Sequence, residues 1–279
     1  MMDAARIAGI LTDRYGLPVR GESRRAEEGP RMRIWPVHVA KTQGFAIDVL
    51  VGWRSVEAEF LPDNFASALV AEMERASAQQ RSVFAAFSAA CTRDGAAVTF
   101  AVNGMPVDPA IGSSWPSGWR TVSIRVVRSP VAVDQSAVEA VEDLAITWGG
   151  RALGLSLSLL PLEHDIAGEE EGGIVRIEVN RYERSTINRA ACIEIHGAIC
   201  KACGFDFGAV YGGIGSGFIE VHHVEPVSGI APDTVVDPAL DLMPLCSNCH
   251  SMIHRRKPPF SMEELRAMLA AAGEAHPVT

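Results

Sequence analysis

The strings CKACGFDF (residues 200–207), GFIEVHHVEP (217–226) and DLMPLCSNCHSMIHRRK (241–257) decide how the C-terminal part of this chain is read. They contain two Cys-x-x-Cys pairs, Cys200 with Cys203 and Cys246 with Cys249, and between and after them His222, His223, His250 and His254. Two such pairs supply the four soft thiolates of a closed tetrahedral zinc site. A single pair could serve redox chemistry. Two pairs, with Gly204 after one and Pro244 before the other, favour structural zinc. Cys203 and Cys246 are 43 positions apart, wider than a compact zinc ribbon and enough for a strand, a loop and a turn.

Four histidines clustered beside a zinc staple exceed what a plain zinc finger needs. Residues four apart share one helix face, so His250 and His254 point the same way and can hold one cation if a third ligand is supplied. His222 and His223 sit near a strand end, where successive side chains face opposite ways. One of them can join His250 and His254, while the other stands apart.

Length and composition bound the rest. With 279 residues and 48% hydrophobic content, the chain has room for two cored domains. No apolar run reaches the roughly 18 to 20 residues that span a bilayer, and Leu153 to Leu162 reads as a buried strand. The N-terminus lacks a cleavable signal pattern, so the expected location is cytoplasmic. Cys91 and Cys192 fall in apolar helical patterns and read as core residues. A net charge of −9 argues against a protein that simply coats nucleic acid. Local clusters could still form a phosphate-facing stripe or a solvated face: Arg176, Arg181, Arg184, Arg189 and Lys201, then Arg255, Arg256 and Lys257.

The pattern is that of an α+β protein. Met2 to Tyr15 has helical spacing, residues 17–30 read as loop, and Arg31 to Ala40 and Phe45 to Phe60 as strands of an antiparallel meander. One long helix is expected from about Phe65 to Cys91, strands at Ala96 to Asn103 and Trp119 to Val127, and a helix at Gln135 to Thr147. The acidic, glycine-bearing DIAGEEEGG at 165–173 reads as a linker, dividing the chain into domains 1–165 and 172–279. The second should contain a strand at Ile174 to Val179, a helix at Ser185 to His196, a strand at Phe218 to Val224, a loop at Pro226 to Asp241, a short helix at Cys249 to Arg255 and a last helix from Ser261.

Residues Gly204 to Lys257, with GFIEVHHVEP, DLMPLCSNCH and SMIHRRK, resemble an HNH endonuclease of the McrA-like, zinc-stapled type; the upstream VNRYERSTINRAACIEIHGAICKACGFDF resembles an extension of one branch of that family. The resemblance implies a C-terminal ββα-metal (HNH) domain with a four-cysteine zinc site, in which a hairpin and a helix grip one divalent cation. It implies His223 as general base and His222, His254 and His250 as ligands of the catalytic metal. The central Asn of the family falls on Asp241, a departure that leaves open how that carboxylate fixes the loop and the base. The implied chemistry is phosphodiester hydrolysis of double-stranded DNA, with structural Zn²⁺ and catalytic Mg²⁺; the His-rich site hints that Mn²⁺, Co²⁺ or Ni²⁺ serve too. Arg181, Arg184, Arg189, Arg255 and Arg256 are candidate backbone contacts.

An N-terminal α+β recognition domain before such a module resembles modification-dependent restriction endonucleases that sense 5-methylcytosine or 5-hydroxymethylcytosine. The expected partner is methylated DNA, and a double-strand cut implies a homodimer. Trp115 and Trp119, in the SSWPSGWR loop, are expected to be partly exposed and to touch the modified base. The alternatives are a nuclease reading another mark or an unmodified sequence, and a non-catalytic zinc DNA-binding regulator.

Overall fold

The computed structural model describes residues 2–37, 42–160, 186–224 and 236–275. The expected linker at 165–173, the strand at 174–179, and both Arg181 and Arg184 lie outside these residues. Two compact units emerge, Met1–Ala190 and Ala191–Thr279.

The first unit begins with α1 (Ala4–Tyr15), capped by Asp3, whose carboxylate accepts from the Arg6 backbone N–H at 3.0 Å. Strands β1 (Val19–Ala26), β2 (Gly29–Pro36), β3 (Phe45–Val51) and β4 (Val56–Pro62) follow, then α2 (Ser67–Glu74) and α3 (Ala78–Arg93). After β5 (Ala96–Val102), β6 (Met105–Pro106) and β7 (Val122–Arg128) comes α4 (Val138–Ser158). The strands pair antiparallel in one sheet of order β1-β2-β3-β4-β7-β5-β6.

Ile34, Ile47, Val49, Ala58, Phe60, Ile124 and Val126 recur at alternate positions, and all are buried on the side that the helices cover. Helix α4 lies at the centre of that layer. The side of α4 that meets its neighbours carries glycines: a Cβ on Gly149 would come within 2.8 Å of Val49, and one on Gly154 within 2.7 Å of the Phe87 ring and 2.8 Å of the Tyr15 hydroxyl. Tyr15 donates its hydroxyl to the Gly150 carbonyl at 2.6 Å. Glu142, buried, takes both the Asp3 backbone N–H (2.6 Å) and the Arg6 guanidinium (2.8 Å), fastening the chain start to α4.

Several expectations are corrected here. The stretch read as loop at 17–30 contains β1, an edge strand whose charged residues conceal its alternation. The single helix expected over 65–91 is two, because Ser77 and Gln80 form a capping box that starts α3. Phe45 to Phe60 is two strands, reversed at Gly52–Ser55, where the Gly52 N–H donates to the Ser55 carbonyl at 2.8 Å. Leu153 to Leu160, the described part of the stretch read as a strand, is not one: α4 runs to Ser158, buried all round from Trp148, and such a segment has no polar face to reveal its period. Trp115 and Trp119 are only 8% and 7% exposed. Their rings pack with Phe84 and Phe100 at centroid distances of 4.9–5.7 Å. Each indole N–H donates to a backbone carbonyl, of Asp108 at 2.9 Å and of Pro116 at 2.6 Å. These internal acceptors let a polar loop bury both rings. Cys91 and Cys192 are fully buried, as core residues should be.

The second unit has α5 (Thr186–His196) crossing its boundary with the first, then α6 (Phe207–Tyr211), an antiparallel hairpin of β8 (Glu220–His223) and β9 (Leu242–Leu245), α7 (Ser247–Ile253) and α8 (Met262–Ala275). Its buried cluster is small: Ile219, Leu245, Ile253 and Leu265 with Cys200, Cys246 and Cys249.

The close packing of α4 yields a prediction. Gly154→Val should lower stability by about 2 kcal/mol or more through overpacking. Gly9→Ala, in α1 with nothing within 4 Å, should raise it by up to about 1 kcal/mol. Urea denaturation midpoints check both.

Candidate metal centre

The first cysteine pair sits in a tight reversal. Gly204 takes a φ of +76°, its N–H donates to the Cys200 carbonyl at 2.9 Å, and the Cys200 N–H donates to the Phe205 carbonyl at 3.0 Å. The Lys201 N–H donates to the Pro244 carbonyl at 2.9 Å, tying this knuckle to β9. Cys246 caps α7 and Cys249 lies one turn inside it.

The four Sγ atoms gather within 4.8 Å of one another, and none is in a disulfide. Cys203 and Cys246 sulfurs are 3.7 Å apart. Four sulfurs about 2.3 Å from a tetrahedral zinc stand about 3.8 Å from each other. Burial pushes the Cys203 and Cys249 thiols up. In Cys200 burial is outweighed by backbone N–H groups of Cys246, Cys203 and Ala202, which bring it to about 7. Four clustered sulfurs cannot all ionise without a cation, and a bound one resolves the conflict. The cluster is compatible with structural zinc.

A second cluster joins the hairpin to α7. His222 of β8, His250 of α7 and His254 at the end of α7 bring ring nitrogens within 4.8 Å of one another. Ring centroids are 5.5 Å apart for His222–His250, 4.9 Å for His222–His254 and 5.0 Å for His250–His254. His222 is buried, and burial followed by the charges of His254, His250 and His223 holds its pKa down at about 4. It is therefore a neutral donor at physiological pH, the form a metal requires.

His223, paired across the hairpin with Leu242, projects to the other side of β8 from His222. Burial lowers its pKa and the Asp241 carboxylate pulls it partly back. Asp241 closes the loop before β9. Its Oδ2 accepts the Asp237 N–H at 2.8 Å, its own N–H donates to the Asp237 carbonyl at 2.8 Å, and its carbonyl accepts the Val224 N–H at 2.9 Å. Among the described residues it acts on His223 through charge and not through a hydrogen bond.

The sequence reading missed Glu220. Its Oε2 lies 2.5 Å from His250 Nδ1, so the carboxylate holds that ring with Nε2 available to a cation. The clue was present: Glu220 is two residues before His222 in a strand, hence on the same face.

The arginines are less convergent. Arg189 is partly buried on α5, and Arg255 is exposed. Arg256 is engaged locally, with its guanidinium 2.8 Å from Glu264 and 4.2 Å over the Phe260 ring.

Residues 200–256 match the family model described as HNH endonuclease. The matched segment includes both clusters, β8, β9 and α7, and is about one-fifth of the 279-residue chain. No curated protein and no solved structure matches the chain.

With so small an apolar core, the second unit should depend on its metal, since structural zinc contributes on the order of 10 kcal/mol in small domains. Purified protein should carry one zinc per chain by atomic absorption. Cys249→Ser should lose it and render 191–279 protease-sensitive while the first unit's melting transition persists.

Proposed function

We propose that this chain is a metal-dependent DNA endonuclease of the McrA-like HNH type, directed at modified DNA. The observation that carries the reading is three imidazoles converging on one point, with a fourth on the opposite side of the same strand, inside the HNH segment. His222, His250 and His254 would hold a divalent cation, Mg²⁺ or Mn²⁺, Co²⁺ or Ni²⁺, which when bound neutralises the scissile phosphate and the departing 3′ oxygen. His223 serves as general base: its imidazole, kept neutral by burial, accepts a proton from the attacking water. Asp241 stabilises the imidazolium that forms and fixes the loop beneath it. Glu220 holds His250 in register. The thiolate cluster, binding Zn²⁺, keeps hairpin and helix together.

Modification dependence is supported by the separate α+β unit that precedes the HNH segment, an arrangement that fits a reader of 5-methylcytosine or 5-hydroxymethylcytosine joined to a cutter. One such centre severs one strand, so double-strand cleavage requires two copies.

Plasmids with and without cytosine methylation, incubated with Mg²⁺ or Mn²⁺, test the proposal. The wild type should cut the methylated plasmid. His223→Ala should slow cleavage at least about a hundredfold while retaining zinc and DNA binding. Equal cutting of both plasmids would remove the modification claim; a gel shift of both without cleavage would reveal a regulator.

The rate should also report on His223. The base works when unprotonated and its pKa lies below the ordinary 6.5, so cleavage at saturating metal should persist as pH falls through 6.5 and decline only below it. Asp241→Asn removes the charge that raises that pKa, so single-turnover profiles should show the decline displaced to lower pH.

A further inference from the structure

Among the described residues, the helices of the first unit leave one face of the seven-stranded sheet uncovered, and its β1–β2 end is strongly basic. In β1, Val19, Gly21 and Ser23 face α1, as a Cβ on Gly21 would meet Ala4 at 3.0 Å and Ser23 Oγ donates to the Met2 carbonyl at 2.8 Å. Arg20, Glu22 and Arg24 therefore project outward, and the register sets them opposite Trp35, Arg33 and Arg31. Four arginines and one glutamate thus share the outer face of two strands in a chain of net charge −9.

Neutralisation within the fold is incomplete. Arg31 lies 3.4 Å from Asp48 and Arg33 4.0 Å from Asp63. Arg20 and Arg24 are exposed, and among the described residues no carboxylate reaches ion-pair distance of either. The Arg31 Nε that faces Asp48 is buried and makes no hydrogen bond, so that ion pair is poorly aligned. Arg24 stands directly across from Arg31, a like-charge pairing that costs stability. Edge strands carry charge to block edge-to-edge pairing, but alternating signs would do so without repulsion. A polyanion seated on the face accounts for the pairing.

We propose that the outer face of the β1–β2 hairpin, through Arg20, Arg24, Arg31 and Arg33, is the surface on which this chain docks the phosphate backbone of duplex DNA. The inference rests on the nuclease reading of the chain and assigns the electrostatic part of binding to this ribbon. The contacts are to phosphates, so they set affinity and orientation and not sequence choice.

Salt dependence tests it. In full-length protein carrying His223→Ala to prevent cleavage, the affinity for a fluorescent 30-mer duplex is measured by anisotropy across a salt series. Each lost phosphate contact lowers the log–log slope by about 0.9. Arg20→Gln/Arg24→Gln should therefore reduce it by about 2 and weaken binding at least about tenfold at 0.1 M salt. Arg20→Lys/Arg24→Lys should retain the slope, and Arg75→Gln/Arg93→Gln, of equal charge change elsewhere, should leave it unaltered. Melting should be no lower in the ribbon variant, since one repulsion is relieved. An unchanged slope in the Gln pair, or an equal drop in the Arg75/Arg93 control, overturns the docking surface. If the wild type still cuts plasmid in that case, the nuclease reading stands. A wild type that neither cuts nor binds DNA overturns that reading instead.

Discussion

Four sulfurs from two distant parts of the chain meet within 4.8 Å, and the hairpin and α7 of the second unit are arranged around that meeting. Among the described residues its fully buried cluster is four aliphatic side chains interleaved with three of the cysteines, with Phe205, Phe207, Phe260 and Met262 among the partly buried side chains packed against it. Hydrophobic burial on this scale leaves little surplus over chain entropy. A cation bound between the thiolates would convert mutual repulsion into attraction and hold the first knuckle against β9 and α7. The histidines inherit their places from that closure, since His250 follows Cys249 directly and His254 lies one turn further along.

The legible parts of this molecule were those whose chemistry is local in sequence. Cys-x-x-Cys spacing, the His250–His254 interval and the His222-His223 doublet each carry their geometry within a few residues. Glu220 escaped because its partner is 30 residues away and only the hairpin brings them together. In the first unit the failures share a cause as well. The C-terminal half of α4, Trp148 to Ser158, has no polar stripe because every side of it is covered, β1 has too many charges to look half-buried, and the tryptophan loop hides its rings by supplying its own carbonyl acceptors. Each depends on tertiary surroundings that no window of sequence contains.

The sheet of the first unit illustrates how a chain can be acidic overall and basic where it matters. Helices seal one face, packed so closely that α4 needs glycine against Val49 of the sheet and against Phe87 of α3. The opposite face is spared that packing, so its composition is free to answer to something else. Charge runs across it in bands: arginines on β1 and β2, then Asp48, Glu57 and Glu59 towards the middle strands, with Arg125 paired to Glu57 beyond.

Extended backbone has only two sides, and β8 uses both at neighbouring positions. His222 and His223, the proposed cation holder and the proposed proton acceptor, are thus consecutive residues separated by the thickness of the strand, with no loop or hinge to adjust. Deleting or inserting one residue within that four-residue segment would interchange their occupants and turn Glu220 away from His250. Tolerance to changes of length must therefore lie outside β8, and the strand acts as a ruler whose smallest division is one amino acid.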